Sequence, residues 1–476
     1  MSEPKRLHPI SAVVNFLKQL KELIIPFFVF VVFGSKNGSF QFIMSIVVII
    51  IILILGIISW LRFTYRLEEG ELRIEYGVFI RKKRYIPFER IQSLDLSEGI
   101  LQRPFGLVKV KVETAGSSKG EAEAVLTAIT KEEANFIQHT LFSAKNKIDE
   151  QSTELFEKSS QEEDILYKIT PRELLLLAST SGGAGVVFSA FFAFVFQFEE
   201  IIPYERLFRG LEDIISSGVI LVSILVFIGF LFAWVVALIG TMIKYAEFTV
   251  KKLGEDLIIT RGLLEKRQLT IPLHRIQAIR ITENVIRQPL GFGTVYLESA
   301  GGSAIDQDSA RVMLLPIIKK DRVAEILSPY LKQYVFEANM NRAPGRALKR
   351  YLLRGILFSL PAAAIPIIFF RPWGYFGLMF VLISMVWAVL RFKDTGWSIA
   401  DLQLTLRYRT VNKTTVYMNR NRIQSLRIQE SYFQRRKELG TISAVVMSGT
   451  GGTGGTVVDL DKMDIQEIYK WYSYTK

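Results

Sequence analysis

Long apolar runs and long polar segments alternate along this chain, and the alternation occurs three times. Phe40 to Leu61, Leu174 to Phe198 and Val219 to Ile243 contain no charged residue. Each has the roughly 20 mostly apolar residues a helix needs to cross a bilayer. Tyr375 to Leu390 is shorter and also uncharged, and Leu352 to Phe370 carries only Arg354, close enough to its start to snorkel toward headgroups. Leu23 to Phe33 is interrupted by Pro26 and borrows the preceding turn, with Lys18 and Lys21 reaching back to the interface. Six spans are therefore expected. They pair as three hairpins through Gly34 to Ser39, Glu199 to Gly218 and Arg371 to Gly374. Upstream, Ile10, Val13, Val14, Leu17, Leu20 and Ile24 recur at helical spacing. That stretch reads either as an amphipathic helix lying on the membrane or as the exposed start of the first span.

The polar segments are copies of one another. RIQSLDLSE begins at Arg90, RIQAIRITE at Arg275 and RIQSLRIQE at Arg422, at offsets of 185 and 147 residues. The same offsets align Leu72 with Leu257 and Leu404, Gly77 with Gly262, and Pro87 with Pro272. Agreement in register over this length marks a triplication. The recurring set is Arg90, Ile91, Gln92 and Glu98; Arg275, Ile276, Gln277 and Glu283; and Arg422, Ile423, Gln424 and Glu430. Its expected role is structural. The third copy has Arg409 where the others have Gly and Asn419 where they have Pro, and it reaches a counterpart of Gly106 and Gly291, Gly440, only after two extra residues.

Within a copy the period is two. Leu72, Ile74 and Tyr76 alternate with polar residues, as do Val108, Val110 and Val112. Such alternation, broken by Gly and Pro, predicts antiparallel strands. A Gly-containing loop follows at Gly116 to Gly120, Gly301 to Ser303 and Gly449 to Gly455. A helix then closes each copy, over Thr130 to Phe142, Lys319 to Tyr334 and Lys462 to Tyr474. The predicted class is an α+β membrane protein: six transmembrane helices in three hairpins, each hairpin followed by a small β-barrel or sheet domain with a C-terminal helix. The boundaries are 1–62 for the N-terminus and first hairpin, 63–144 for the first domain, 145–165 for an acid-rich linker, 166–244 and 245–335 for the second hairpin and domain, and 336–392 and 393–476 for the third pair.

LHP at Leu7 to Pro9, G-V-F-x-R-K-K at Gly77 to Lys83, I-P-x-x-R-I-Q at Ile86 to Gln92 and I-L-Q-R-P-F-G at Ile100 to Gly106 resemble the bacterial pleckstrin-homology-like membrane proteins, the bPH2 or DUF304 family. Counterparts stand at Gly262 to Arg267, Ile271 to Gln277 and Ile286 to Gly291. The three-hairpin layout looks like the YdbT-type members of that family. The resemblance covers nearly the whole chain and implies a pleckstrin-homology-like (PH-like) fold for each copy. It carries over no catalytic or ligand residue. It implies a smaller one-domain membrane relative as partner, and a link to tolerance of antimicrobial peptides.

Charge sets the expected orientation. The connections within hairpins are poor in Lys and Arg, and Glu199 to Gly218 carries five acids; Arg62, Arg66, Lys168, Lys244, Arg350, Arg391 and Lys393 flank the other side. The positive-inside rule places both termini and all three domains in the cytoplasm. The net charge of +13 includes the run Arg81, Lys82, Lys83 and Arg84, with Lys266 and Arg267 in the second copy and Arg407 and Arg409 in the third. Near an anionic leaflet each such residue is worth about 1 kcal/mol. These eight are the candidate headgroup contacts, and no nucleic acid partner is expected.

Chemistry is otherwise sparse. There is no Cys, and His8, His139 and His274 are scattered. No acid pair has catalytic spacing, and the Gly-rich run at Gly449 lacks the Gly-Lys-Ser/Thr of a phosphate loop. No enzyme, cofactor or metal is expected. The expected function is a non-enzymatic membrane scaffold. A transporter is the alternative, resting on the small-residue cluster Ser179 to Gly185 as a broken helix; it is weakened by spans that hold no ionisable residue beyond Arg354.

Overall fold

The structure, a computed structural model, describes residues 4–17, 20, 38–68, 70–114, 124–138, 140, 164–181, 219–299, 311–337, 339–369, 373–448 and 451–473. Three described helices are long and apolar enough to cross a membrane: Phe227–Tyr245, Gly345–Phe369 and Gly374–Asp394. The helix α1 (Gly38–Arg62) coincides with the second expected span. The first expected span, and the third beyond residue 181, lie outside the described residues. The third opens with α2 (Pro171–Ser179), started by a capping box: the Thr170 hydroxyl accepts from the Glu173 N–H while the Glu173 carboxylate accepts from the Thr170 N–H. The later expected spans coincide with α3 (Val219–Tyr245), α5 (Leu348–Phe369) and α6 (Gly377–Asp394). Between them lies the short α4 (Arg322–Leu327), and the one-turn α7 (Tyr432–Arg435) follows α6 in the third copy.

Among the described residues each copy contributes seven strands, and the first of each seven precedes that copy's apolar helices in the chain. The first copy has β1 (Lys5–Arg6), β2 (Thr64–Glu68), β3 (Glu71–Tyr76), β4 (Lys82–Pro87), β5 (Ile91–Glu98), β6 (Leu107–Thr114) and β7 (Ala124–Thr130). The second has β8 (Asp164–Lys168), β9 (Thr249–Leu253), β10 (Asp256–Arg261), β11 (Lys266–Pro272), β12 (Ile276–Glu283), β13 (Phe292–Ser299) and β14 (Arg311–Lys319). The third has β15 (Asn341–Arg342), β16 (Gly396–Ala400), β17 (Gln403–Arg409), β18 (Lys413–Asn419), β19 (Ile423–Gln429), β20 (Leu439–Ser448) and β21 (Gly451–Asp461). The short leading strands β1 and β15 pair with β2 and β16, so chain ahead of α1 is joined to chain after it, and chain ahead of α5 to chain after α6.

Two compact units form, and they do not follow the repeat boundaries. One holds residues 1–165, 251–275 and 301–306; the other holds 166–250, 276–300 and 307–476. In the first unit, one sheet runs β1-β2-β3-β4 and a second includes the order β7-β6-β5-β11-β10. In the second unit, a seven-stranded sheet runs β14-β13-β12-β18-β17-β16-β15, beside a three-stranded sheet β19-β20-β21. Strand β5 of the first copy thus pairs with β11 of the second, and β12 of the second pairs with β18 of the third. An edge strand exposes a row of unpaired backbone donors and acceptors; here the next copy satisfies them.

Alternation predicted the core faces well. Leu72, Ile74, Ile86, Leu94, Val110, Val112 and Leu126 form the first core, joined by Leu7 from the LHP motif. Leu404, Leu406, Val416, Met418, Ile442, Ala444 and Val446 form the core of the third copy. The first closing helix is described over residues 131–138 and at 140, its expected remainder lying outside the described residues; the second, α4, is shorter than expected; the third, α8 (Lys462–Ser473), runs as expected to the last described residue.

Three local expectations are corrected. The third copy has no two-residue insertion: the ungapped offset from Gly106 (φ 65°) and Gly291 (φ 72°) lands on Glu438 (φ 49°), which takes the same left-handed conformation, while Gly440 lies in β20. The run Gly451 to Gly455 is not a loop but the start of β21, with Gly454 opposite Val445. A Cβ on Gly454 would collide with the Ala444 carbonyl, so absence of a side chain lets these strands approach. Arg409 is not a replaced turn residue. Gly77 and Gly262 need φ of 120° and 104°, but Arg409 ends β17 opposite Lys413 and has no positive φ.

Gly454→Val is therefore expected to lower stability by about 1–3 kcal/mol, read as thermal unfolding of the detergent-purified protein. Gly229→Ala, where an added carbon meets no atom within 4 Å, should leave the transition in place.

Candidate functional site

The two junctions between copies share one register. Lys266 faces Glu98 and Thr270 faces Leu94 across β11–β5; Lys413 faces Glu283 and Tyr417 faces Ile279 across β18–β12. Both sets interconvert by the repeat offsets. The recurring Glu therefore stands opposite a base at each junction. Lys413 Nζ lies 3.2 Å from the Glu283 carboxylate, whereas Glu98 meets Lys131 at 2.9 Å. At the first junction the Arg267 guanidinium also donates to Asp95, at 2.9 Å.

Position 95 of the first copy corresponds to Arg280 and Arg427 in the others. Arg280 is the hub of the second junction. It donates to the Glu298 carboxylate at 2.7 Å, to the Tyr408 hydroxyl at 2.9 Å and to the Gly454 carbonyl at 3.0 Å. Arg311 meets the same carboxylate at 3.0 Å. Burial alone would lower the Arg280 pKa, but Tyr408 and Glu298 outweigh it and hold the pKa above its ordinary value.

Strand β19 is the third member of this series, and among the described residues only β20 pairs with it. Asp95 and Leu96 of β5, and Arg280 and Ile281 of β12, are buried. Their counterparts Arg427 and Ile428 are exposed, as is Glu430. Arg90, Arg275 and Arg422 each end a single 3₁₀ turn that leads into these strands. Ile276 and Ile423 are buried, Ile91 is half-buried, Gln277 is buried and Gln424 is exposed; the Gln92 side chain lies outside the described residues.

The basic candidates divide. Arg81, Lys82 and Lys83 are exposed. Arg81 and Lys83 both pair with Glu75; desolvation opposes them, yet they hold its carboxyl below the usual carboxylate range. Arg84 is half-buried over the Tyr76 ring. Lys266 is exposed, and Arg267 is committed to Asp95. Arg407 is half-buried. Arg409 is 3% exposed, donates to Asp394 at 2.6 Å and stacks over Trp387, so it lies inside the protein instead of on a headgroup-facing surface.

Sequence reasoning missed the anchor of the third domain. Asp459 is fully buried and accepts from Arg350 at 2.9 Å, from Arg354 and from Gln434. Arg354 is thus answered by a protein carboxylate rather than by headgroups. The Tyr351 hydroxyl donates to the Val458 carbonyl, fixing the foot of α5 to β21. A cavity of about 450 Å³ beside this foot is lined by Tyr351, Arg391, Arg409 and Gly452 to Gly455. His8 and His274 are exposed, and His139 lies outside the described residues. No three His, Asp or Glu converge on a metal-sized site among the described residues.

The family model for the bacterial PH domain matches three times, over residues 19–145, 198–333 and 355–476. The chain is 41% identical to the UPF0699 transmembrane protein YdbT of Bacillus subtilis (strain 168), over all of this chain and 99% of that protein. It is 34% identical over 53 residues to the UPF0699 transmembrane protein YdbS of the same organism, covering 11% of this chain and 33% of that protein. No solved structure matches.

Removing Arg280 leaves Glu298 buried, with the partly exposed Arg311 as its remaining cation. Arg280→Ala is expected to cost about 3–5 kcal/mol in chemical denaturation of the detergent-solubilised protein. Arg280→Met with Glu298→Gln should recover much of that loss, because no uncompensated charge remains.

Proposed function

This chain belongs to the bacterial PH domain family, and from that membership we propose that it is a non-enzymatic membrane scaffold whose PH-like domains dock a further domain of the same kind. The observation that carries this reading is the open edge of β19. The same strand position is filled at both internal junctions, in one register, by a strand of the next copy. A smaller one-domain membrane relative supplies such a strand. The Bacillus protein that aligns over 53 residues, a third of its own length, supports a relative of that kind.

Six spans, cytoplasmic domains and cytoplasmic termini complete the proposal, supported by the basic flanks of the apolar runs. Arg81, Lys82 and Lys83 would then face the anionic leaflet. The physiological role is defence of the cell envelope, with tolerance of membrane-active peptides as its readout. Transport is the competing reading, and solute or ion flux through vesicles holding the purified protein alone would establish it instead.

Co-purification with the one-domain relative from the same cells tests the docking. Ile428→Lys with Glu430→Lys places two bases on an exposed edge, opposite the base expected in the incoming strand. The variant should insert and melt as the parent does, lose the partner, and leave cells more sensitive to membrane-active peptides. Undiminished co-purification would sink the docking model. Topology is checked separately: Glu205→Cys should react with an impermeant thiol reagent on intact cells, and Glu89→Cys only after they are opened.

A further inference from the structure

Two exposed apolar positions recur in all three copies, and neither is used by the scaffold reading. The first is the turn after the third strand of each copy. Phe79, Leu264 and Val411 occupy it at the repeat offsets, and they are 90%, 48% and 65% exposed. The second is the bend after the fifth strand, a turn in the first two copies and the one-turn helix Tyr432–Arg435 in the third. Leu101, Ile286 and Phe433 occupy it, again in register, at 45%, 61% and 68% exposure. Single exposed apolar residues are ordinary on protein surfaces. A large apolar residue kept at the same exposed tip in three copies, while the residues around it diverge from Ile80 to Glu265 to Asn412, is not.

What covers these tips is indicated by their ties to the spanning helices. The Arg62 guanidinium, on the last residue of α1, donates to the Val78 carbonyl at 2.6 Å, so Phe79 sits at the level where that helix ends. The Trp387 indole donates to the Thr410 carbonyl at 3.1 Å. Trp387 lies seven residues before the end of α6 at Asp394, roughly 10 Å along the axis at 1.5 Å per residue. Val411, the next residue, is therefore beside the span and not beyond it. Trp is also the side chain that favours the membrane–water boundary. In the second copy the Arg287 guanidinium, beside Ile286, donates to the Thr180 hydroxyl at 2.7 Å and to the Leu177 carbonyl at 3.2 Å. Both acceptors belong to the start of the third expected span.

We propose that these turns dip their apolar residues into the interfacial layer of the bilayer the chain crosses. The domains are then seated in the membrane by hydrophobic tips, with Arg81, Lys82 and Lys83 beside Phe79 at headgroup level. This goes beyond electrostatic headgroup contact and does not depend on any protein partner.

The absence of Cys from the chain makes the test clean. Phe79→Cys, Ile286→Cys and Val411→Cys, each exposed, are labelled with a nitroxide in the full-length protein. The protein is reconstituted alone into vesicles of phosphatidylethanolamine and phosphatidylglycerol. Spin relaxation by oxygen, which concentrates in the bilayer, is compared with that by a water-soluble nickel chelate, and Glu89→Cys serves as the aqueous control. The tips should be relaxed by oxygen several-fold more than by nickel, with the reverse at Glu89. Nickel access at the tips equal to that at Glu89 would overturn the proposal. So would protection from both reagents, which would mean that protein covers the tips.

Discussion

Antiparallel pairing between copies, in a single register, is the constraint on which this architecture rests. A PH-like copy taken alone ends in strands whose backbone N–H and C=O groups need partners. The first copy satisfies β5 with β11 of the second, and the second satisfies β12 with β18 of the third. Register is the consequential variable, because a slip of one residue would send every side chain to the opposite face. Here a slip would carry Arg280 away from Tyr408 and the Gly454 carbonyl of the third copy, while Glu298 stays beside it on β13 of its own copy. Burying that guanidinium is tolerable only because each of those groups is in place.

The same pairing explains why the compact units cut through the second copy. Its β10 and β11 belong with β5 of the first copy, and its β12 to β14 with β18 of the third. Strand sharing also gives the third copy its distinct character. Its β18 is covered, whereas β19 is left with one neighbour among the described residues. The foot of α5 is fixed to its β21 through Asp459, so the open edge is carried on a segment tied to the membrane.

Much of this was legible in the residues. Offsets of 185 and 147 located the copies, and period-two alternation picked out Leu72, Leu404 and Val110 as core. Pairing across copies was not legible, because alternation reports which face of a strand is buried and says nothing about what lies along its edges. The recurring Glu98, Glu283 and Glu430 did carry that signal, but a base facing it comes from a residue far away in sequence. Composition misled at Gly451 to Gly455, where glycine permits close strand approach rather than a turn. At Glu438 a non-glycine residue adopts the left-handed conformation, which hid the ungapped alignment. The buried role of Arg409 was invisible because Asp394 and Trp387 reach it only through the fold.

Paired cysteines across the junctions test the shared register most directly. Directly opposed residues in an antiparallel pair have Cβ atoms about 5 Å apart, and diagonal ones about 7–8 Å. Glu98→Cys with Lys266→Cys, and Glu283→Cys with Lys413→Cys, should each close an intramolecular disulfide on mild oxidation of the membrane-embedded protein. Glu98→Cys with Gln268→Cys, and Glu283→Cys with Thr415→Cys, should not. Equal cross-linking by the shifted pairs, or none by the matched ones, would contradict the account that the copies are joined strand to strand.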